Sequence, residues 1–489
     1  MKRYSIRSRL VLILLCLAIP GACFYSCVSK EGEDIPTTEA ETTATTSIIC
    51  IERVQPWRFE AQDARILAAE ENKWHFWAED NSEDLLKIKI AIYNRNAMVE
   101  ERSGATLVWE MKPCSSLAER DAFVQSVEIS AQSGAQYDAV HCPSNLASAL
   151  AMKHLCTDLL QAKYIDLDMP WWSSAYVSEM RYQNQLYSLV ENDGIGLLSS
   201  LSCVFFNNDI IKEKSLISPY YLMENNLWTV GALREQVKEC YDDLNENGER
   251  DAADLYGMCS LNDAEIAAWF YGAGGRLSTR NAEGQMRLLA GEVEGISGIV
   301  MELAELLASP NCYETTDAQA MFKANRLCFM TGVFHTPYEI LLDVNDIINY
   351  GVAPLPKQNG TQDRYYTHVA DTYEVWIIPV GAQSVTDSSG IIENMGAEAY
   401  RQISPVYLDL YLKLRFAPDE RLADIYDLIR NSVTFDYVHL YRETFEADPE
   451  ASLVGCVKAP DANRWEDLWP TLSESVTSDF ERILTIYKK

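Results

Sequence analysis

The chain has 489 residues, a hydrophobic share of 48% and a formal net charge of -31 at pH 7, which together describe a large acidic globular protein of about two domains. A charge of this sign repels phosphate backbones and anionic membrane surfaces, so we expect no nucleic-acid partner. The thirteen cysteines contain no CxxC pair and therefore offer no zinc ribbon or thioredoxin motif. We expect most of them to be small buried hydrophobes, and the pairing of one or two stays open.

Residues 1–22 have the layout of a secretory signal peptide, with a basic start, the apolar run Leu10–Ile19 and small residues before Cys23. No later segment is apolar for long enough to span a membrane. We expect Cys23 to carry a lipid anchor, although Pro20 stands where such signals usually have leucine. Cys27 is a second possible acceptor, and cleavage with release is the alternative. Residues 23–55 are polar and Thr-rich without periodicity, which predicts a disordered tether.

Helical and extended patterns alternate along the rest of the chain. Helices are predicted from Glu83, over Leu117–Ser133, Ala147–Leu155, Trp228–Tyr241, Gly291–Ala308 and Ala318–Phe322, and throughout the region after Ser389. Extended runs are predicted over Ala105–Trp109, Tyr137–His141, Gly351–Pro356 and Glu374–Pro379. This alternation predicts an α/β protein with mostly parallel strand connections and a helical C-terminal region.

Several short phrases follow one another in an order that is typical of one family. They are Gly134–Val140, Pro170–Trp172, Gln185–Leu189, Val204–Asp209, Leu227–Thr229, Asp254–Gly257, Gly272–Gly275 and Tyr350–Lys357. On these phrases, residues 83–441 resemble the extracellular solute-binding proteins of carbohydrate ABC importers. The resemblance is to family 1, the maltose-binding-protein-like group, in the lipoprotein form of gram-positive bacteria.

The resemblance implies a two-lobed periplasmic-binding-protein-like fold of type II, with the ligand in a cleft between α/β lobes. Lobe 1 would comprise residues 56–192, continued in part by 372–489, and lobe 2 would comprise residues 193–371. Hinge strands would cross between the lobes near residues 190–203 and 368–378. The implied function is capture of a sugar or oligosaccharide by hinge closure for a membrane permease, and we expect a monomer.

The predicted cleft loops carry both aromatic and polar side chains, as a sugar site needs, because sugar rings stack on aromatic rings and their hydroxyls require hydrogen-bond partners. Ligands of open α/β sheets bind at the carboxyl ends of the strands. The candidate ligand-binding residues on these loops are His141, Asn145, Glu191, Asp193, Asn262, Asp263, Phe334, His335, Asp371, Tyr373 and Trp376. Asn145 has an alternative role as the cap of a helix that starts at Leu146.

A calcium-loop pattern runs from Asp243 to Asp254, with Gly248 at the sixth position, where the loop turns sharply. The candidate ligands are Asp243, Asn245, Asn247, Glu249, Asp251 and Asp254, of which Glu249 would bind through its backbone carbonyl. A structural Ca²⁺ is therefore expected, and a solvated acidic turn is the alternative. We expect no catalytic cofactor.

We do not expect an enzyme, because the six histidines have no HExxH spacing and the chain contains no G-x-S-x-G motif. A receptor for a non-sugar solute such as a peptide or polyamine is the alternative among binding proteins, and the acidic cleft loops favour a cation over an anion. A surface glycoside hydrolase or adhesin is the alternative from another class, since a glycosidase needs only two suitably placed carboxylates.

Overall fold

A computed structural model describes residues 54–78, 86–134, 136–337, 348–371, 373–408, 420–460 and 464–487, all of which lie within one compact unit of the chain. The predicted signal peptide and the candidate anchor residues Cys23 and Cys27 lie outside the described residues. Among the helices that are described, none combines the length and apolar character that crossing a membrane requires.

The first part of the chain alternates strands and helices, as the hydrophobic pattern predicts. Its elements are β1 (Asp63–Ala69), α1 (Lys73–Phe76), α2 (Leu86–Ser103), β2 (Thr106–Lys112), α3 (Leu117–Ser133), β3 (Ala139–Pro143), α4 (Ser144–Met152), a 3-10 turn (Leu159–Gln161) and α5 (Ser174–Met180). Helix α3 has the predicted bounds. Ser116 and Glu119 form a capping box at its start, and Gly134 follows its last turn with a φ of 88°.

The middle of the chain consists of short strands and helices. Its elements are α6 (Ile195–Ser199), β4 (Ser202–Asn207), α7 (Asn208–Glu213), α8 (Pro219–Glu224), α9 (Val230–Lys238), β5 (Tyr241–Asp242), β6 (Leu255–Tyr256), β7 (Met258–Cys259), α10 (Asp263–Gly272), β8 (Ser278–Arg280), β9 (Met286–Leu288), α11 (Val293–Leu307), β10 (Cys312–Tyr313), α12 (Ala318–Lys323), β11 (Phe329–Val333) and β12 (Tyr350–Ala353). Threonine and asparagine caps start several of these helices, for example Thr229 before α9.

The last part of the chain is helical after a single strand, as predicted. Its elements are β13 (Glu374–Ile377), α13 (Val385–Gln402), α14 (Glu420–Asn431), α15 (Tyr437–Tyr441), a 3-10 turn (Arg442–Thr444), α16 (Pro449–Lys458), α17 (Trp465–Leu484) and a final 3-10 turn (Thr485–Tyr487).

Two separate sheets define two lobes. Lobe 1 is built on a four-stranded sheet of order β13-β3-β1-β2, in which β1 pairs in parallel with β2 and β3 while β13 runs antiparallel to β3. Lobe 2 is built on the three-stranded sheet β11-β4-β12, and both of its pairings are antiparallel. The expectation of mostly parallel connections is therefore correct for lobe 1 and wrong for lobe 2. Strand β4 is buried along its whole length, as parallel strands usually are, so it lacks the alternation of apolar and polar residues that indicates an antiparallel strand.

Three segments of the chain cross between the lobes. The first crossing, residues 192–201, connects the Trp172–Glu191 bridge of lobe 1 to β4 and contains α6. The second contains Ala370, Asp371 and Tyr373 and leads from the Leu201–Val369 bridge to β13. The third, residues 432–436, pairs with Thr367 through Val433 and leads to α15, which packs on lobe 1. The predicted lobe boundaries at residues 193 and 371 lie inside the first two crossings.

Candidate functional site

The ends of four strands of lobe 2 surround a cavity of about 1070 Å³ beside the crossing segments. Strands β7 and β10 pair in parallel, so the loops that follow both of them reach the same edge. Val333 ends β11 opposite Ser202, which starts β4, and this pair closes the cavity on the hinge side. Ala370 of the second crossing completes the wall, so the cavity lies on lobe 2 beside the hinge.

The cavity wall combines apolar residues with short polar side chains that suit a ligand with many hydroxyl groups. The hydroxyl and amide side chains on its wall are Ser202, Ser260, Thr315, Thr316, Thr331, Thr336, Asn262 and Gln319. Several of these groups also fix the wall, since Thr331 accepts a hydrogen bond from the indole of Trp269 at 2.9 Å and Thr336 accepts one from the backbone of Val333 at 3.0 Å. A rigid wall of donors and acceptors orients a polar ligand with little loss of entropy.

Helix α1 of lobe 1 follows the carboxyl end of β1 and reaches lobe 2. The ring of Trp74 lies 4.8 Å from the ring of His335, which belongs to the loop after β11. The backbone N–H of His335 also donates to Ser199 of the first crossing. His335 is therefore the one predicted ligand-binding residue whose ring contacts an aromatic ring of the opposite lobe among the contacts of the described residues.

Three predicted residues meet at a tight crevice beneath the first crossing: His141 and Glu191 line it, and Trp376 packs against both. The indole of Trp376 donates to Glu191 at 2.9 Å and its ring packs 4.2 Å from His141. All three side chains are buried. Burial, reinforced by the charge of Arg95, lowers the pKa of His141 well below its usual value, so this imidazole is neutral at pH 7.

The charges in this crevice are paired with one another. Arg95 is 2% exposed and donates to the carbonyl of Phe76 at 2.7 Å, and its positive charge faces Glu191 and Glu374. Nδ1 of His75 lies 2.5 Å from the carboxylate of Glu374. The crossing backbone passes so closely that a Cβ atom at residue 194 would lie 2.7 Å from the Glu191 carboxylate. The crevice therefore holds the hinge together and leaves almost no room.

Asp371 belongs to a second buried network, at the second crossing. Its carboxylate lies 2.9 Å from Nε2 of His439 and also forms an ion pair with Arg442. Nδ1 of His439 lies 2.7 Å from a carboxylate oxygen of Glu450. The same oxygen accepts a hydrogen bond from the hydroxyl of Tyr271 at 2.7 Å. Because Tyr271 belongs to α10 and Glu450 to α16, the network joins elements of lobe 2, the crossing and the C-terminal helices.

The protonation states in this network follow from burial and neighbouring charges. Burial alone would lower the pKa of His439, but Glu450 and Asp371 outweigh it and raise that pKa to about 10. Burial would raise the pKa of Asp371, yet His439 and Arg442 hold it below its usual value. His368, stacked 4.9 Å from Tyr271, has its pKa lowered to about 3 by burial and by the charge of His439. The network therefore contains a protonated His439 and a neutral His368 at pH 7.

The other predicted ligand-binding residues have different surroundings. Asp193 is buried and accepts from Nε of Arg430 at 2.9 Å, while Asp263 is exposed and pairs with Lys458. Phe334 and Tyr373 are buried among aromatic rings: Phe334 packs edge-on at 5.0 Å from Tyr426, and Tyr373 lies 5.7 Å from Phe435.

Two predicted asparagines lie near helix starts, and one of them caps its helix. Asn262 caps α10 by accepting from the backbone of Glu265 at 3.0 Å, and it lines the cavity. Asn145 is not a cap, because α4 begins at Ser144 and has Pro143 at its N-cap position. Its side chain donates to Glu443 at 3.1 Å instead. Of the predicted residues, the structure thus places Asn262 on the cavity wall and gathers His141, Glu191 and Trp376 in the crevice.

The sequence analysis did not single out the loop between β10 and α12, which supplies a large share of the cavity wall. This loop contains Glu314, Thr315, Thr316 and Asp317, and Asp317 caps α12 by accepting from Ala320 at 3.1 Å. A threonine-rich turn before a capped helix is common on protein surfaces, so its composition gave no binding signal. The loop reaches the cavity only because β10 pairs with β7, and each of these strands has only two residues.

The predicted calcium loop forms the expected sharp turn. Gly248 has a φ of 75°, and the carboxylate of Asp243 accepts from the backbone of Asn247 at 3.2 Å and of Gly248 at 2.8 Å. Asp251 accepts from the side chains of Asn245 and Asn247, at 3.1 and 2.9 Å. Throughout the described chain, no three His, Cys, Asp or Glu side chains form a group able to hold a metal ion. Calcium binding therefore stays a hypothesis.

The nine described cysteines are all unpaired, and eight of them are buried. Cys142, for example, lies in β3 and is fully enclosed by the core of lobe 1. Burial raises its thiol pKa well above the usual value, so it is an unreactive apolar group.

The chain matches no protein-family model and no curated protein, but solved structures share its fold. The galacto-N-biose/lacto-N-biose I-binding protein of Bifidobacterium longum, in complex with lacto-N-biose, is similar with a TM-score of 0.59 and 11% identity over 87% of this chain and 98% of that one. The cyclic α-maltosyl-1,6-maltose binding protein of Arthrobacter globiformis is similar with a TM-score of 0.55 and 11% identity, covering 87% and 99% of the two chains.

A third similar structure is an ABC substrate-binding protein of Listeria monocytogenes in complex with cycloalternan, with a TM-score of 0.51 and 11% identity over 86% of this chain and 97% of that one. The described chain thus has the two-lobed fold of ABC-transporter substrate-binding proteins. This confirms the fold class that the sequence phrases implied.

Proposed function

We propose that this protein is the extracytoplasmic substrate-binding lipoprotein of an ABC importer and that it captures a sugar or oligosaccharide by hinge closure. The observation that carries the proposal is the cavity of about 1070 Å³ at the hinge of lobe 2, whose wall includes eight short hydroxyl and amide side chains. Solved structures with this fold hold lacto-N-biose and cycloalternan, which supports a saccharide as the ligand. A permease in the membrane would receive the closed form.

The three crossings suggest how capture would work. The ligand would enter the cavity on lobe 2, and contacts to α1 of lobe 1 would then stabilise the closed arrangement. The contact of Trp74 with His335 supports this role for α1, since it is where an aromatic ring of lobe 1 meets the loop after β11. A ligand shifts the equilibrium between open and closed forms only as far as it binds the closed form more tightly.

The test is a thermal-shift screen of neutral mono- and oligosaccharides, followed by calorimetry and small-angle scattering with each saccharide that binds. We expect at least one saccharide to raise the melting temperature and to make the protein more compact. Compaction with a peptide or polyamine alone would contradict a saccharide as the ligand and leave the assignment of the fold unchanged. Turnover of the bound saccharide, followed by chromatography, would instead support a hydrolase.

A matched pair of variants locates the site. Thr316→Trp places a large ring in the cavity wall, whereas Thr471→Trp places the same ring on the exposed surface of α17. We expect Thr316→Trp to weaken saccharide binding by at least about 100-fold, which corresponds to about 2.7 kcal/mol, and Thr471→Trp to leave it unchanged. Equal affinities for the two variants would place the ligand elsewhere.

The lipid anchor is the part of the proposal that rests on the sequence alone. The basic and apolar start before Cys23 supports export, and Cys23 would hold the protein at the outer face of the membrane. Labelling cells with a palmitate analogue should tag the wild type and not Cys23→Ala. Labelling of Cys23→Ala that is lost in Cys27→Ala would move the anchor to the second cysteine, and an unlabelled wild type would favour simple release.

A further inference from the structure

The charged side chains on the cavity wall are all acidic. They are Glu265 in the first turn of α10, and Glu314 and Asp317 in the loop between β10 and α12. Among the described residues that line the cavity there is no Lys, Arg or His side chain. A ligand beside these residues therefore meets negative charges that no basic side chain of the cavity wall neutralises.

The basic side chains at the margins of the cavity already have acceptors. Lys458 pairs with Asp263, next to Asn262 on the rim. Arg326 donates to the backbone carbonyl of Ala252, which lines the opposite part of the wall. Arg442, near the second crossing, is held by Asp371. Carboxylates therefore neutralise Lys458 and Arg442, whereas Arg326 has a neutral carbonyl acceptor and its side chain lies outside the lining of the cavity.

The physical consequence is a strong dependence of binding on ligand charge. A carboxylate or sulfate on the ligand would have to lose part of its water beside carboxylates of the same charge, and the walls of the cavity exclude some of the water that would otherwise screen this repulsion. An ammonium group would find carboxylate acceptors in the same place. Specificity that rests on an unfavourable interaction with the wrong ligand is a common way for binding proteins to discriminate.

We propose that the cavity selects amine-bearing saccharides and rejects saccharide acids, with Glu314 and Asp317 as the residues that read the charge. The inference rests on the proposed saccharide function and adds the chemical class of the ligand. Glu265 is a less direct contributor, because its carboxylate accepts the backbone N–H of Asn262 at 2.8 Å and is committed to the capping box of α10.

The experiment measures affinity for sets of saccharides that differ only in charge. Each set contains a glucosamine, glucose or glucuronate oligosaccharide of the same linkage and length, and matching galacto sets extend the panel. We expect the amine-bearing member to bind at least about tenfold more tightly than the acidic member of its set, and no more weakly than the neutral one. This preference should shrink as salt is raised, because screening weakens it.

Two double variants separate the cavity from the overall charge of -31. Glu314→Gln with Asp317→Asn removes two carboxylates from the wall, and asparagine preserves the cap of α12. Glu213→Gln with Glu224→Gln removes two exposed carboxylates of α7 and α8 outside the cavity. We expect the first variant to reduce the ratio of amine to acid affinities within one set about tenfold, and the second to keep that ratio.

The outcomes are distinguishable. Equal binding of acidic and amine-bearing members, an unchanged preference in the cavity variant, or an equal loss in the control variant would each overturn the inference while leaving saccharide capture intact. Binding of spermidine or a basic peptide without any saccharide would reject the proposed saccharide function and support selection by charge. Failure of every positively charged probe to bind would reject selection by charge.

Discussion

Two regions at the hinge are rich in polar side chains, and they differ in the space they enclose. The cavity of lobe 2 has a volume of about 1070 Å³, whereas the crevice around His75, Arg95 and Glu374 has a volume of about 10 Å³. A space of that size holds about one water molecule. In the crevice the charged groups have one another as partners, while the cavity offers hydroxyls and carboxylates to a ligand. Polar residues beside a hinge thus either stabilise the hinge or bind a ligand. The volume that they enclose distinguishes the two roles.

The strongest test of this comparison removes the cation of the crevice. Arg95→Met would leave the carboxylates of Glu191 and Glu374 buried without their cation, which should lower the free energy of unfolding by about 3–5 kcal/mol. Arg181→Met, which removes an exposed arginine that bonds Asn184, is the control and should cost less than about 1 kcal/mol. Denaturant unfolding measures both. Similar values for the two variants would contradict the structural role of the crevice.

The second hinge network gives a pH dependence. The pKa of His439 is raised in the folded protein from its usual value of 6.5 to about 10, so its contribution to stability is complete below pH 6.5 and is lost as the pH rises through 10. The wild type should lose on the order of 3 kcal/mol between pH 7 and 10 that His439→Gln does not lose. His154→Asn, at an exposed histidine, should follow the wild type. Parallel curves for the wild type and His439→Gln would refute this assignment.

The smallest expected effect concerns the loop from Asp243 to Asp254, which adjoins the cavity through Ala252. If the loop binds calcium, millimolar Ca²⁺ should stabilise the wild type by about 1–2 kcal/mol, and a chelator should reverse the effect. Asp243→Asn should abolish the response, while Asp363→Asn, at a carboxylate outside this loop, should preserve it. An identical melting temperature with Ca²⁺ and with chelator would contradict calcium binding and support the alternative of a solvated turn.

The sequence predicted elements best where local signals agreed. Helix α3 was predicted with its observed bounds because Ser116, Glu119 and Gly134 mark its ends. Strand β1 was missed, since Asp63–Ala69 follows a polar tether and its small apolar residues suit a helix as well as a strand. The antiparallel sheet of lobe 2 depends on contacts between strands more than 100 residues apart in the chain, and no local pattern records them.

The site was harder to predict, because the sequence does not show which residues a polar side chain after a strand will contact. His141 and Glu191 were predicted as ligand-binding, and that role is untested. The buried Glu191 has the charge of Arg95 as its partner, and nothing in the sequence indicates that Arg95 of α2 faces it. Conversely, Thr315 and Thr316 resemble an ordinary surface turn and reach the cavity only through the pairing of β7 with β10. Pairing and volume are properties of the fold, and neither is visible in the order of residues.

The edge strand β13 has a consequence for how the chain acquires its structure. It pairs with β3, more than 200 residues earlier, whereas the three strands of the lobe 2 sheet all lie between Ser202 and Ala353. During emergence of the chain from its N-terminus, the lobe 2 sheet has all its strands before β13 exists. Since closing a long loop slows the formation of distant contacts, we expect lobe 2 to fold first and to bring the two ends of lobe 1 together.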